Sequence, residues 1–205
     1  IYAFEPNINT YRQLVDNVGD MGKCYNIGMG EEQKSEKIFT YSDSLASSHA
    51  SIYGDVFRTY HKRDDIVGID FQLTTLDIFC EREKITNIDF LKIDTEGNEL
   101  LVLQGETRTL QENKPIILFE AFKNDQRMDL ANFLDSKNYV ICHTPWNPSD
   151  KSQALNFDQF LASPASNFIA VPKSLKIDIP KFLTYALSNF NRSIIGSIIA
   201  SVGQA

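Results

Sequence analysis

Apolar residues fall along this chain in short runs closed by a polar or acidic residue, alternating with stretches where they recur every three or four positions. The runs predict strands and the stretches predict helices. Residues 1–4 form the first run, and Glu5-Pro6 closes it, since proline cannot continue a central ladder. Ile8, Tyr11, Leu14, Val15 and Val18 then share one helical face, with Asn7 or Asn9 as cap and Gly19 and Gly22 as terminators. Residues 23–27 predict a second strand, followed by Gly28-Met29-Gly30, and residues 37–41 a third. Residues 66–73 alternate Ile, Val and Phe with polar side chains, which predicts a strand at an edge or on a half-exposed face. Thr74 or Thr75 caps a short helix over 76–83.

The run 90–93 is apolar on both faces apart from Lys92, as a buried parallel strand is, and it ends abruptly at Asp94. Gly97 permits a tight turn, and Asn98-Glu99-Leu100 opens a helix carrying Leu100, Leu103 and Leu110 inward until Lys114-Pro115. Residues 115–119 are a further apolar strand ending in Glu120, 129–137 a helix, 139–142 a strand ending at His143, and 168–171 a last strand. Strands thus alternate with helices, which predicts an α/β fold with a mostly parallel, doubly wound sheet. The closing pair has no clear helix between its members, so it is expected to be antiparallel. The domain is read as residues 1–172, and residues 173–205 as an extension. Apolar residues at helical spacing over 179–202 predict that the extension adds an amphipathic helix, which could pack on the domain, on a partner or on a membrane surface, with the domain favoured. Residues 42–51, rich in Ser, Ala and Asp, read as a long loop of the lid or binding kind, with His49 solvated in it.

Composition narrows the classes. A hydrophobic content of 42% and a charged content of 23% are those of a globular protein. The net charge of -7 argues against a nucleic-acid partner, which needs clustered Lys and Arg. Cys24, Cys80 and Cys142 stand singly, without zinc-ligand spacing, and are expected to be reduced thiols in a cytoplasmic protein. No stretch is long and apolar enough for a transmembrane span.

The chemistry sits at strand ends. Glu5, Asp94 and Glu120 each close a strand, and in an open α/β sheet ligands lie outside the carboxyl ends of strands. Three acids on one edge can meet at one crevice. Glu5, at a strand–helix junction, is placed to accept bonds from both hydroxyls of a ribose. The plain alternative is that these acids, with Glu96, cap helices. Gly28 lets backbone approach a flat ligand, or marks a bare turn.

In order along the chain, Tyr2-Ala3-Phe4-Glu5-Pro6-Asn7, Thr74-Thr75-Leu76-Asp77, Ile88-Asp89-Phe90-Leu91-Lys92-Ile93-Asp94-Thr95-Glu96-Gly97-Asn98-Glu99-Leu100 and Pro115-Ile116-Ile117-Leu118-Phe119-Glu120 resemble the successive motifs of FkbM-type methyltransferases. The resemblance implies a Rossmann-like class I enzyme that uses S-adenosylmethionine to methylate a hydroxyl of a sugar or secondary metabolite. By position it implies that Glu5 binds the cofactor ribose, that Asn26, Ile27, Gly28 and Met29 lie beside the adenine, and that Asp94 lies near the reactive methyl. Ser47 and Ser48 resemble a paired serine of the family's variable loop. The family's first strand and its glycine-rich turn have no counterpart in these residues, which predicts a gap at the centre of the sheet, completed by residues upstream of Ile1.

The hydroxyl proton needs a base, for which Asp94 is the first choice and Glu120 and His143 the alternates. A divalent metal on Asp94, Glu96 and Glu120 ranks below the metal-free reading. A scaffold domain without activity is the main competitor. A nicotinamide oxidoreductase ranks last, lacking a Gly-x-Gly-x-x-Gly turn.

Overall fold

A computed structural model describes residues 1–42, 65–124, 126–147, 153–175 and 198–201. Ser47, Ser48, His49 and most of the expected C-terminal helix lie outside the described residues. The described residues fold as a mixed α/β structure with a seven-stranded and a three-stranded sheet.

β1 (Tyr2–Phe4) and β2 (Lys23–Tyr25) are parallel, joined through helix α1 (Ile8–Val18). The Asn7 side chain caps α1 by accepting from the Asn9 amide at 3.0 Å, and Gly19 ends the helix at φ 51°. Only Leu14 and Val18 of the predicted face are buried. Ile8 and Val15 stay exposed.

β3 (Gly28–Met29), β4 (Lys34–Tyr41) and β5 (Ile66–Thr74) build the small sheet, with β5 in its middle and largely half-exposed, so the second of the two expected placements holds. Helix α2 (Leu76–Glu83) follows, capped by Thr75, whose hydroxyl accepts from the Ile78 amide at 3.1 Å. β6 (Phe90–Ile93) is buried at every position, as its composition predicts. The single helix expected after it is two, α3 (Glu99–Gln104) and α4 (Thr107–Glu112), broken at Gly105. Gly105 has ordinary helical φ of -76°, so its lack of a side chain serves packing: a Cβ there would run into the Gly30 carbonyl oxygen.

β7 (Ile116–Glu120), α5 (Gln126–Ser136) and β8 (Tyr139–His143) come next, then a helix the sequence pattern did not predict, α6 (Phe157–Ala162). One turn and a half is too short for periodicity, and its signal is local: Asn156 and Gln159 form a reciprocal capping box. β9 (Asn167–Pro172) then pairs antiparallel with both β7 and β8, so the closing pair is antiparallel as expected.

The large sheet runs β2-β1, then β10 (Ile198–Ser201), then β6-β7-β9-β8. β10 corrects the expectation of a helix over these residues. Residues 198–201 are strand, not amphipathic helix, and they fill the predicted central gap while running antiparallel to both β1 and β6. The physical reason is the slot itself. Two parallel strands one strand-width apart present facing rows of unpaired N–H and C=O groups, and only an extended segment satisfies both.

The main core gathers Phe4, Phe79, Leu91, Ile93, Ile117, Phe119 and Phe168 from these strands and α2. Tyr2, Phe4 and Tyr25 surround the ring of Phe79, with Phe4 and Phe79 edge-to-face at 4.7 Å between centroids. Cys80 and Cys142 are buried and Cys24 half-buried, all three as free thiols.

Candidate functional site

β6 and β7 place the first acids. Their register sets Ile93 beside Phe119, so Asp94 and Glu120 leave the sheet abreast at its carboxyl edge. The chain then turns sharply, with Glu96 at φ 53° and Gly97 at φ 102°. A left-handed glutamate is strained by about 1–2 kcal/mol, which its surroundings must offset. The turn brings Glu96 back: one carboxylate oxygen from each of Asp94, Glu96 and Glu120 lies within 4.8 Å of the others.

Glu99 holds that turn. Its buried carboxylate accepts from the Thr95 amide and hydroxyl, both at 2.9 Å, and from the Gly97 amide at 3.2 Å. No side chain caps α3, so Asp94 and Glu96 are not helix caps. Lys92, two residues before Asp94 on the same face of β6, pairs with it at 2.8 Å, and the two side chains are only 8% and 22% exposed.

Burial, reinforced by Asp94 and Glu99, raises the Glu96 carboxyl to about 7. Burial also raises Glu120, to about 8, with Asp94, Glu96 and Glu99 adding to the rise and Lys92 opposing it. Close carboxylates cannot all ionise freely, so near neutrality this trio holds protons that ordinary acids have lost.

Glu5 closes β1 at the same edge. Phe4 is paired with Ile198, and Ile198 precedes the partner of Lys92, so Glu5 and Asp94 stand two strand spacings apart, about 10 Å. Glu5 is 5% exposed and accepts from the Asn7 amide at 2.7 Å. Burial pushes it up to about 7, offset in part by that amide. Asn26 reaches the same corner, donating through Nδ2 to the Glu5 carbonyl at 2.8 Å and the Pro6 carbonyl at 3.0 Å. Ile27 is half-exposed beside it. Gly28 and Met29 are buried in β3, where a Cβ on Gly28 would strike the Phe71 ring. Protein packing alone therefore already requires a glycine there. His143 is exposed, at the far edge of the sheet against Phe168, two strand spacings from β7. The structure thus gathers Asp94, Glu96 and Glu120, sets Glu5 with Asn26 nearby, and leaves His143 apart.

The methyltransferase FkbM domain matches residues 1–141. This chain belongs to the FkbM methyltransferase family. Among solved structures, methyltransferase FkbM from Methylobacillus flagellatus is similar, with 18% identity and a TM-score of 0.44 over 83% of this chain. The chain spans 36% of that protein's length. No curated protein matches it.

In this FkbM domain three polar residues of the rim escaped pattern reading in the roles they take. Lys92 had a signal, a lysine inside an apolar strand two positions before an acid. Glu99 also had one, being four residues beyond Thr95 across a glycine turn. Arg127, buried at 1% exposure beneath the loop after Glu120, had none, because its acceptors are all backbone carbonyls. The oxygen-only trio of Asp94, Glu96 and Glu120 is the set that could hold magnesium or calcium.

Proposed function

We propose that this FkbM domain takes part in methyl transfer from S-adenosylmethionine to a hydroxyl on a sugar or other small metabolite. The observation that carries the reading is the acid rim: Glu5 on one side of β10 and the Asp94, Glu96, Glu120 trio on the other. The residues fit the cofactor chemically. Glu5 is a desolvated acid with a backbone amide as its offsetting donor, and the two hydroxyls of a ribose would stabilise its ionised form. Asn26 and Ile27 flank it and would lie toward the base. Bound S-adenosylmethionine would supply an electrophilic methyl on a sulfonium.

The chain's own residues then have to orient a hydroxyl and take its proton. Placement in line with the methyl supplies much of the rate. A general base works best with a pKa near the operating pH. Asp94 is engaged by Lys92, whereas Glu120, raised to about 8, keeps a proton affinity suited to a hydroxyl. We therefore assign proton acceptance to Glu120, with Asp94 held beside it by Lys92 and Glu96 sharing the proton.

Calorimetry on the full-length protein with S-adenosylhomocysteine tests the reading. Saturable heat that is lost in Glu5→Ala is expected. No heat at high ligand concentration would leave a scaffold domain as the better account.

A further inference from the structure

Arg127 is a second buried cation, and among the described residues no carboxylate pairs with it. Its guanidinium lies over the rings of Phe160 and Phe168, at 5.3 and 5.1 Å from their centroids. Nη1 donates to the carbonyls of Phe160 at 3.1 Å and Ser163 at 2.8 Å. Nη2 donates to those of Ala121 at 2.5 Å and Ala165 at 2.8 Å. A purely apolar core needs no such group, and burying a charge without an acid is costly unless hydrogen bonds replace its water.

The acceptors explain the expense. Ala121 directly follows Glu120, while Ser163 and Ala165 belong to the connection from α6 to β9. The Ala121 amide donates to the Ser166 carbonyl at 2.7 Å. Both polar groups of Ala121 are thus bound to the α6–β9 connection, one directly and one through Arg127. Phe168, under the guanidinium, is in turn the cross-strand neighbour of Phe119.

We propose that Arg127 is a positioning residue that fixes Glu120 on the rim by tying the β7–α5 connection to the α6–β9 connection. A planar fork with several donors spans carbonyls from two loops, which the point charge of a lysine cannot do. Its bearing on catalysis rests on the methyl-transfer reading, but the tie itself does not.

The test therefore needs no substrate. Full-length wild type and Arg127→Lys are compared by amide hydrogen exchange and by carbodiimide footprinting of Glu120, with exposed Glu81 as internal standard. The expected result is that Ala121 loses roughly tenfold or more of its protection while Leu91 and Ile93 in β6 keep theirs. Glu120 labelling should rise against Glu81 in the same variant. Protection falling equally at Ala121, Leu91 and Ile93, or unchanged Glu120 labelling, would overturn the proposal by showing a merely global role or none. Should Arg127→Lys not fold, Phe160→Leu, which removes one ring under the guanidinium, decides by the same two measurements. Loss of S-adenosylhomocysteine binding in wild type would sink the methyl-transfer reading and leave these readouts intact.

Discussion

Glu106 is the acid whose replacement should be most informative about stability. It precedes α4, is 0% exposed, and among the described residues neither of its carboxylate oxygens has a hydrogen-bond partner. Burial, with the Asp77 carboxylate second, pushes its pKa well above the ordinary range. Asp77 is fully engaged as a carboxylate, accepting from the Arg108 amide at 2.8 Å, the Thr109 amide at 2.9 Å and the Thr109 hydroxyl at 2.7 Å. Glu106 is therefore folded as a neutral acid, whereas in the unfolded chain it ionises with an ordinary pKa of about 4.3. Above that pH the folded state holds one proton more than the unfolded state. The contribution is fully present below the unfolded pKa and is lost as pH rises, at about 1.4 kcal/mol per unit. Between pH 5 and pH 7 wild type should lose stability steadily through this one group. Glu106→Gln keeps the volume and removes the titration. Urea unfolding of both proteins at pH 5, 6 and 7 isolates the effect, because every other acid is common to the pair. The variant should gain on wild type steadily as pH rises. Two stability curves that stay parallel over this range would refute the neutral buried acid.

Other outcomes follow from the same structure. If Glu120 is the base of the proposed methyl transfer, the full-length protein's rate should climb as pH rises through about 8, and Glu120→Gln should remove that limb; a wild-type profile flat from pH 6 to 9 would count against the role. Lys92→Met strands Asp94 among like charges, and chemical denaturation should show a loss of about 3 kcal/mol. Gly105→Ala suits the backbone angle but drives a methyl into the Gly30 carbonyl, so its melting curve should report about 1–3 kcal/mol of destabilisation, whereas a helix-propensity argument expects a gain.

Much of the large sheet was legible from sequence because its strands are short apolar runs with acids at their ends. β6 and β7 were read within a residue, and their register alone then brings Asp94 beside Glu120. The antiparallel closing pair was legible too, although α6 between its members was not, since six residues carry too little periodicity. Gly28 shows why a lone glycine is ambiguous in sequence, since an absent side chain has the same signature whether a ligand or the Phe71 ring takes the space. Gly105 was passed over as an ordinary helix position, because the backbone it meets lies 75 positions earlier (105 − 30). Ile8 and Val15 show the limit of amphipathic patterns, which rank faces but do not say how wide a stripe is covered. β10 was misread because Ile198-Ile199-Ala200 suits either helix or strand, and only the slot between β1 and β6 decides.

That slot has a temporal side. Among the described residues, β2-β1 and β6-β7-β9-β8 share no ladder except through β10, and Phe4 meets Ile198 across 194 positions (198 − 4). Closing so long a loop is an entropic toll met only near the end of folding, and such distant pairings are slow to form. A nascent chain still short of Ile198 would carry two half-sheets with an open trough between them. In that interval the trough is a template for any foreign strand, so reliance on chaperones should be greatest until residues 198–201 have left the ribosome.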